Sequence, residues 1–238
     1  MAKKRITLSV ALAVYNEASN LERCLRSVGN LADEVIVVDG GSSDATADIA
    51  KRLGAKVYHT DNPAMFHINK QKALDKSSGE WILQLDADEV VSASLKEEIR
   101  DVIVSGLTPN GYFISRHNYF LGDWLRKGGQ YPDYVIRLFR NGSGEFPQQS
   151  VHEQIKIDGP VGHLTHALEH YSYTSVSQYW KKSRSYILLS AADLQKRRDR
   201  WSFMTIASYF LVKPFITFFA IFVRHNGFMD GWRGFLFA

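Results

Sequence analysis

The stretch WILQLDADEV, residues 81–90, decides how the rest of this chain is interpreted. Its first half is apolar and suits a buried strand, whereas Asp86, Asp88 and Glu89 follow at once and do not suit a core. Carboxylates this close repel one another unless a cation or hydrogen-bond donors compensate them. We therefore expect a strand that delivers negative charge to a binding site at the edge of a sheet.

Strand-like and helix-like segments alternate along the first half of the sequence. Apolar runs predict strands, and these runs are ITLSVALAV, EVIVVD, AKVYHT and EWILQLD. The first intervening helix is predicted from a capping box of Ser19 and Glu22 to about Val28. Further helices are predicted at about residues 45–53, in INKQKALDKSSG, and in LKEEIRDVI, which Ser92 or Ser94 opens. This alternation predicts a parallel sheet with right-handed crossovers.

The pattern changes after Pro109, where GYFISRHNYF, YVIRLFR and VHEQIKI are short strand-like pieces among glycines and prolines. They predict a mixed edge of the sheet, and residues 176–200 predict a basic helix. We therefore expect an α/β fold with a Rossmann-like, mostly parallel sheet flanked by helices in a domain of residues 1–175. Residues 176–238 are expected to form a helical C-terminal appendage.

Polar clusters follow three of the predicted strands, at residues 15–17, 39–44 and 86–89. The carboxyl ends of parallel strands meet at one edge, which is where open α/β sheets bind ligands. Asp44 is explained equally well as a helix cap. The Asp86–Asp88 pair is harder to explain structurally, because two neighbouring carboxylates need a compensating charge.

The ligand types at this edge indicate a divalent metal. Carboxylate oxygens with few histidines nearby favour Mg²⁺ or Mn²⁺, which take one or two carboxylates and complete their shell with water and substrate phosphates. The phosphate-binding motifs G-x-x-x-x-G-K-[ST] and G-x-G-x-x-G are absent from the sequence. The carboxylates thus predict a metal that holds a diphosphate, and a P-loop enzyme or a dinucleotide-dependent dehydrogenase is disfavoured.

An ordered set of motifs runs from about residue 6 to the C terminus, namely VYNE, VVDGGSSDAT, WILQLDADE, RHNYFLGDWLRKGG, PDYVIRLFR, VHEQI and HYSYTSVSQYWKKSRSY. Together these motifs resemble glycosyltransferase family 2, and within it the bacterial lipopolysaccharide-core β-glucosyltransferase-like branch. The resemblance implies a GT-A fold and a metal-dependent, inverting transfer of a hexose, with glucose favoured. The donor would be a UDP-sugar and the acceptor a lipid-linked saccharide, such as the lipopolysaccharide or lipooligosaccharide core.

The same resemblance implies roles for residues at matching positions. The residues expected to line the nucleotide pocket are Val14, Tyr15, Asn16 and Glu17. Asp39 would bond the base, and Asp86 would face the ribose and join Asp88 at the metal. Lys70 is expected at the phosphate, although a solvated lysine explains it equally well. Arg137 is expected at the diphosphate.

An inverting transfer needs a general base beside the acceptor hydroxyl. Glu153 of the VHE motif is favoured, because related enzymes place an acidic residue there, and Glu89 is the alternative. A salt bridge between Glu153 and Arg137 would be a structural explanation instead. His170 is expected either as a further metal ligand or as a structural hydrogen-bond partner.

The charge of the chain is concentrated at its C terminus. The formal net charge is +4, and residues 196–238 hold seven Lys/Arg against two Asp/Glu. This local excess argues against a general nucleic-acid-binding face. The sequence contains one cysteine, Cys24, so no internal disulfide is possible, and its helical spacing with Leu21, Leu25 and Val28 predicts a core position.

The C-terminal segment predicts attachment to a membrane surface through residues 201–238. FMTIASYFLVKPFITFFAIFV, residues 203–223, is long enough for a span, which needs about 20 residues. Lys213 at its middle and the helix-breaking Pro214 favour two shorter helices that lie in one leaflet. The alternatives are a helical cap on the soluble domain and a dimer interface. The resemblance places the protein at the cytoplasmic face of the bacterial inner membrane.

Other functions stay open from the sequence. The acceptor could instead be a polyprenyl phosphate or a protein. A sugar nucleotidyltransferase would need a glycine-rich phosphate loop near the N terminus, where this chain has residues 14–17, VYNE. A non-enzymatic membrane scaffold would not need paired carboxylates at a strand end. The sequence does not determine the oligomeric state.

Overall fold

The structure is a computed structural model that describes residues 7–63, 65–105, 109–147, 154–196 and 207–238. The chain divides into two compact units. Unit 1 comprises residues 1–116 and 134–170, and unit 2 comprises residues 117–133 and 171–238.

The elements of the described residues follow the alternation predicted from the sequence. The strands are β1 (Leu8–Val14), β2 (Glu34–Asp39), β3 (Lys56–His59), β4 (Trp81–Gln84), β5 (Glu89–Val91), β6 (Gly111–Phe120), β7 (Asp123–Trp124), β8 (Asp133–Arg140), β9 (Gly144–Glu145), β10 (Lys156–Ile157), β11 (Val161–His163) and β12 (Leu168–Tyr173). The α-helices are α1 (Ala18–Val28), α2 (Thr46–Arg52), α3 (His67–Asp75), α4 (Ala93–Ser105), α5 (Val176–Lys196), α6 (Lys213–Phe219) and α7 (Gly231–Phe237).

The sheet is mixed, and its strand order is β3-β2-β1-β4-β8-β6-β12-β5. The pairs β3–β2, β2–β1 and β1–β4 are parallel, so the predicted parallel half is confirmed. β8 runs antiparallel to β4, and β5 runs antiparallel to β12, which confirms the predicted mixed edge. β11 adds to β6 in parallel, and β9 and β10 form a separate antiparallel pair.

The two faces of the parallel half are covered by different helices, because successive strand side chains point to opposite faces. On β1, Leu8, Val10, Leu12 and Val14 join one apolar cluster, which also contains residues of α1 and α4 such as Cys24 and Leu95. Ala11 faces the other cluster, where it packs with residues of α3 such as Leu74. Burial on both faces explains why β1 and β2 are nearly continuous apolar runs.

Unit 2 contains a loop, residues 121–130, that is fastened to the C-terminal segment. Asp230 accepts hydrogen bonds from the backbone N–H groups of Arg126 and Lys127, at 3.1 and 2.9 Å. Arg233 donates to the Leu121 carbonyl at 3.2 Å, and its guanidinium lies 3.2 Å from the Asp123 carboxylate. The C-terminal segment is therefore an integral part of this unit.

The helical C-terminal segment is interrupted at a different residue from the one predicted. π-Helical turns at Ser208–Val212 and Ala220–Arg224 flank α6, so helical backbone continues past Pro214. Pro214 is the second residue of α6 and comes directly after the π-helical turn Ser208–Val212. The predicted break at Pro214 is therefore wrong, and the chain turns instead at Asn226, which has a φ of 58°.

Many apolar side chains of the C-terminal segment are exposed. The group with more than half of the surface accessible comprises Phe210, Leu211, Phe215, Ile216, Phe219, Val223, Phe228, Met229, Trp232 and Phe235. Among the described residues, none of the helices combines the length and apolarity that a membrane crossing requires.

Candidate active site

The loops that follow β1 and β2 are joined by hydrogen bonds. The Glu17 N–H donates to Thr46 Oγ1 at 2.8 Å, and the Ala18 N–H donates to Asp44 Oδ2 at 3.2 Å. The first N–H groups of α1 are therefore capped by side chains from the neighbouring loop. The predicted capping box is wrong, because Ser19 lies within the helix and the N-cap residue Glu17 makes no side-chain cap bond.

Asn16 bonds the same neighbouring loop in both directions. Its N–H donates to Ser42 Oγ at 2.9 Å, and its side-chain oxygen accepts from the Ser43 N–H at 2.8 Å. Asn16 has a φ of 53°, a left-handed conformation that asparagine tolerates better than most residues. Tyr15 is 46% exposed beside it, whereas Val14 is buried in the strand. Tyr15, Asn16 and Glu17 thus lie together at the carboxyl ends of β1 and β2, whereas Val14 belongs to the core beneath them.

Asp39 ends β2 directly opposite Val14 of β1, and only 1% of its surface is exposed. Both of its carboxylate oxygens lie 3.3 Å from the Ser42 N–H. The Nδ1 nitrogen of His59, at the end of β3, lies 3.1 Å from Asp39 Oδ2. The carboxylate is therefore held in one orientation at the strand edge.

Asp86 follows β4 and is compensated by two cations. Lys70 Nζ, from α3, lies 2.5 Å from Asp86 Oδ1, and an Arg137 Nη2 lies 2.6 Å from Asp86 Oδ2. Burial by itself raises the pKa of Asp86, but the charges of Arg137 and Lys70 outweigh it and hold that pKa well below its ordinary value. Asp86 is thus a fixed anion, and the repulsion expected from the sequence is relieved by basic side chains.

Glu89, the alternative candidate for the general base, is fully buried. Its Oε2 accepts a hydrogen bond from the Asp86 N–H at 2.9 Å, and its Oε1 accepts from Arg137 at 2.7 Å. Arg116 approaches the same Oε1 at 3.5 Å. A general base must reach the proton that it removes, so this enclosed position disfavours Glu89 for that role.

Arg137 is also buried and lies among acceptors, whereas the sequence suggested a place at the diphosphate. It donates to the side-chain oxygen of Gln84 in addition to Asp86 and Glu89. Gln84 in turn donates to the Leu85 carbonyl at 2.9 Å. Sequence reasoning missed Gln84 because a glutamine inside an apolar strand carries no motif. Contact of Arg137 with a diphosphate stays a prediction.

Asp88 and His170 form the pair that could hold a metal. Asp88 Oδ1 lies 3.6 Å from His170 Nε2, and both side chains are largely buried. Neighbouring octahedral ligands that each lie about 2.1 Å from one ion are about 3.0 Å apart, so a small shift of either side chain would let both reach the same Mg²⁺ or Mn²⁺. Asp86 is already engaged by Lys70 and Arg137. Among the described residues, no group of three or more His, Cys, Asp or Glu side chains is arranged to hold a metal. Water and substrate oxygens would therefore complete the shell.

Glu153, the favoured candidate for the general base, lies outside the described residues, as does any ion pair between it and Arg137. The other predicted site residues lie within them. Those brought to the carboxyl edge of the sheet are Val14, Tyr15, Asn16, Glu17, Asp39, Lys70, Asp86, Asp88, Glu89, Arg137 and His170.

A parallel βαβ half that ends in acidic loops and continues into antiparallel strands is the architecture of GT-A glycosyltransferases. TarS of S. aureus, residues 1–349, has a similar fold, with a TM-score of 0.51 and 16% identity over 94% of this chain and 74% of that one. The family model of glycosyl transferase family 2 matches residues 9–148. This chain belongs to that family.

Several relatives match nearly the whole chain, including one from Rickettsia typhi and one from Rhizobium meliloti. An uncharacterised glycosyltransferase of Rickettsia typhi is 30% identical over 240 residues, covering 94% of this chain and 81% of that protein. LpsC of Rhizobium meliloti, named as a lipopolysaccharide core biosynthesis glycosyltransferase, is 27% identical over 245 residues, covering 98% of this chain and 87% of that protein.

Proposed function

We propose that this protein is an inverting hexosyltransferase that moves a sugar, with glucose favoured, from a UDP-sugar to a lipid-linked saccharide such as the lipopolysaccharide core. The observation that carries the proposal is the convergence of Asp39, Asp86 and the Asp88–His170 pair at the carboxyl ends of the parallel strands. Similarity to LpsC along 98% of the chain supports the core saccharide as the acceptor.

Each part of the donor has a counterpart in the site. The orientation of Asp39 suits acceptance of a hydrogen bond from the nucleotide base, beside Tyr15 and Asn16. Asp86, fixed as an anion by Lys70 and Arg137, suits the ribose hydroxyls. Asp88 and His170 would hold Mg²⁺ or Mn²⁺. Such a cation would neutralise charge that develops on the diphosphate leaving group.

The remaining requirement is removal of the proton from the attacking hydroxyl. Glu153 is proposed as the general base, because Glu89 is fully buried and both of its oxygens accept hydrogen bonds from protein donors. A base on the side opposite the diphosphate gives inversion at the sugar carbon.

We place the protein at the cytoplasmic face of the inner membrane, attached by its C-terminal segment. Support comes from the exposed apolar side chains of residues 207–238, together with Lys213 and Arg224. Apolar residues in contact with acyl chains and cations near anionic headgroups are the two contributions to interfacial binding. Attachment there would keep the protein at the surface that carries a lipid-linked acceptor.

The first experiment is calorimetric titration of the full chain with UDP, in Mn²⁺ and then in EDTA. UDP is chosen because it is the nucleotide in one crystal structure of TarS. Binding that depends on Mn²⁺ supports the proposal, whereas no binding by a folded sample in either condition contradicts it.

A second experiment identifies the acceptor. The protein is incubated with UDP-glucose and, separately, a lipid-linked core saccharide, a polyprenyl phosphate or a protein, and the product mass is determined. A hexose added to the core saccharide with release of UDP is the expected result. A nucleotidyltransferase would instead release pyrophosphate in a separate assay with UTP and glucose 1-phosphate as substrates.

A further inference from the structure

Glu89 is hydrogen-bonded to both backbone polar groups of Asp86. The Glu89 N–H donates to the Asp86 carbonyl at 3.0 Å, while Glu89 Oε2 accepts from the Asp86 N–H at 2.9 Å. These two bonds fix the backbone at Asp86, where the turn begins, and at Glu89, where it ends. Asp88, which lies between them, is presented by a turn whose ends are tied together.

The same carboxylate anchors the arginine that orients the side chain of Asp86. One Arg137 amino group lies 2.7 Å from Glu89 Oε1 and 2.6 Å from Asp86 Oδ2. Glu89 and Arg137 are both buried, so few water molecules compete for these bonds. Without Glu89, the guanidinium would lose one of the two carboxylates that set its position.

Glu89 is also linked to the histidine of the candidate metal pair. It is the first residue of β5, and in the antiparallel pairing with β12 its partner is His170. A single buried residue thus connects the Asp86 backbone, the Arg137 guanidinium and the strand position that sets His170 beside Asp88.

We infer that Glu89 is a positioning residue, which holds Asp86 and the turn bearing Asp88 in the geometry that receives a nucleoside diphosphate with a divalent cation. This inference rests on the proposed function for the identity of the ligand. It differs from the role of general base, because both carboxylate oxygens of Glu89 already accept hydrogen bonds from protein donors.

The variant that tests the inference is Glu89→Gln. The Asp86 N–H and Arg137 donate to different oxygens of Glu89, and glutamine places an NH2 donor at one of those two positions, so one of the two donors loses its acceptor. The matched control is Glu34→Gln. Glu34 is another buried carboxylate of unit 1, and it accepts hydrogen bonds from Ser9 and Ser78. It lies at the start of β2, whereas the candidate site lies at the other end of that strand.

Three quantities are measured on both variants: UDP affinity in Mn²⁺ by calorimetry, kcat and KM, and amide hydrogen exchange of the peptide containing Asp86 in ligand-free protein. We expect Glu89→Gln to weaken UDP affinity by about 10- to 100-fold, as for other residues that support metal ligands. The Asp86 amide should also exchange faster. Glu34→Gln should leave both quantities at the wild-type level.

The other outcomes overturn the inference. Loss of kcat with unchanged UDP affinity would make Glu89 a general base. Equal losses of stability in both variants, with unchanged affinity, would make it only a structural residue. If wild-type protein does not bind UDP, the proposed function fails, and unchanged Asp86 exchange in Glu89→Gln would then overturn the positioning role separately.

A further variant covers the case in which Glu89→Gln does not fold. The double variant Glu89→Gln with Arg137→Met also lacks the Arg137 guanidinium. It therefore does not leave a buried cation that has lost one of its two carboxylate partners. The same three measurements apply to it. Wild-type UDP affinity and Asp86 exchange in the double variant would overturn the inference.

Discussion

The carboxylate of Asp88 lies 3.6 Å from the Nε2 nitrogen of His170, although the two residues are far apart in the sequence. The register of β5 and β12 brings them together, since His170 lies directly opposite Glu89. The pair is therefore a product of the mixed edge of the sheet, whereas Asp39 and Asp86 follow strands of its parallel half.

Removal of either member of this pair should weaken metal-dependent nucleotide binding. Asp88→Asn and His170→Ala are each expected to lower UDP affinity in Mn²⁺ at least about tenfold, or ~1.4 kcal/mol, because each removes one of two protein ligands. Binding in EDTA should be the same in wild type and variants. Calorimetry with and without the metal checks both statements.

The control for this prediction is His166→Ala. His166 and Glu98 form a similar histidine–carboxylate contact in unit 1, at 2.9 Å, where Glu98 also accepts from the Thr165 N–H at 2.7 Å. This change should leave UDP affinity intact. Equal losses in His166→Ala and His170→Ala would argue against a metal at Asp88.

Acid should destabilise the protein partly through Glu34. Burial alone raises the pKa of Glu34, but hydrogen bonds from Lys56, Ser9 and Ser78 outweigh it and lower the pKa from 4.5 to about 2. A depressed folded pKa contributes stability above the unfolded value of 4.5 and loses it as pH falls towards about 2. The contribution at neutral pH is on the order of 2 kcal/mol.

Glu34→Gln removes this titration. We expect the variant to be less stable than wild type at pH 7 and to have a flatter stability profile below pH ~4.5. Urea unfolding at several pH values measures both. A variant whose acid profile parallels that of wild type would show that Glu34 is not the group responsible.

The single thiol of the chain should report unfolding. Cys24 is fully buried in α1, and burial raises the pKa of its thiol well above the ordinary value. Since the thiolate is the reactive form, a thiol reagent should label native protein very slowly. Labelling should accelerate only over the denaturant range in which the protein unfolds, and rapid labelling in native buffer would contradict the burial of α1.

The membrane proposal predicts that an exposed phenylalanine of the C-terminal segment contributes more to vesicle binding than an even more exposed valine of unit 1. Phe215 of α6 is 65% exposed, and Phe215→Asp should lower binding to vesicles that contain anionic lipid by about tenfold or more, since burial of such a side chain contributes roughly 1.5–3 kcal/mol.

Val104→Asp is the matched control for this prediction. Val104 is 84% exposed on α4 of unit 1, outside the C-terminal segment. Co-sedimentation with vesicles compares the two variants. Similar vesicle binding by both would mean that the C-terminal segment is not the attachment surface.

The parallel half of the fold was predictable because β1, β2 and β4 are mostly apolar runs, each followed by a polar cluster. The same reasoning brought Asp39 and Asp86 to one edge, since parallel strands share their carboxyl ends. The compensation of Asp86 by Arg137 was not predictable, because it depends on β8 lying next to β4, a pairing between strands distant in the sequence. Gln84 was missed for the same reason, as its partner lies on β8.

Local signals failed where tertiary contacts replaced them. Ser19 and Glu22 have the spacing of a capping box, yet the N-cap residue of α1 is Glu17, two residues earlier, and the caps come from Asp44 and Thr46. Pro214 has the chemistry of a helix breaker, yet a π-helical turn leads directly into α6 and helical backbone continues past it.

The loops after β1 and β2 share the capping of α1 and are hydrogen-bonded to each other, so they behave as one rigid body. Hydrogen bonds cross between them in both directions, through Asn16, Ser42 and Ser43 and through the caps of α1. A ligand that binds to either loop therefore restricts the motion of both loops. An insertion or deletion in one loop would displace the start of α1 unless the other loop changed in a compensating way. Sequence changes in the two loops should therefore be correlated.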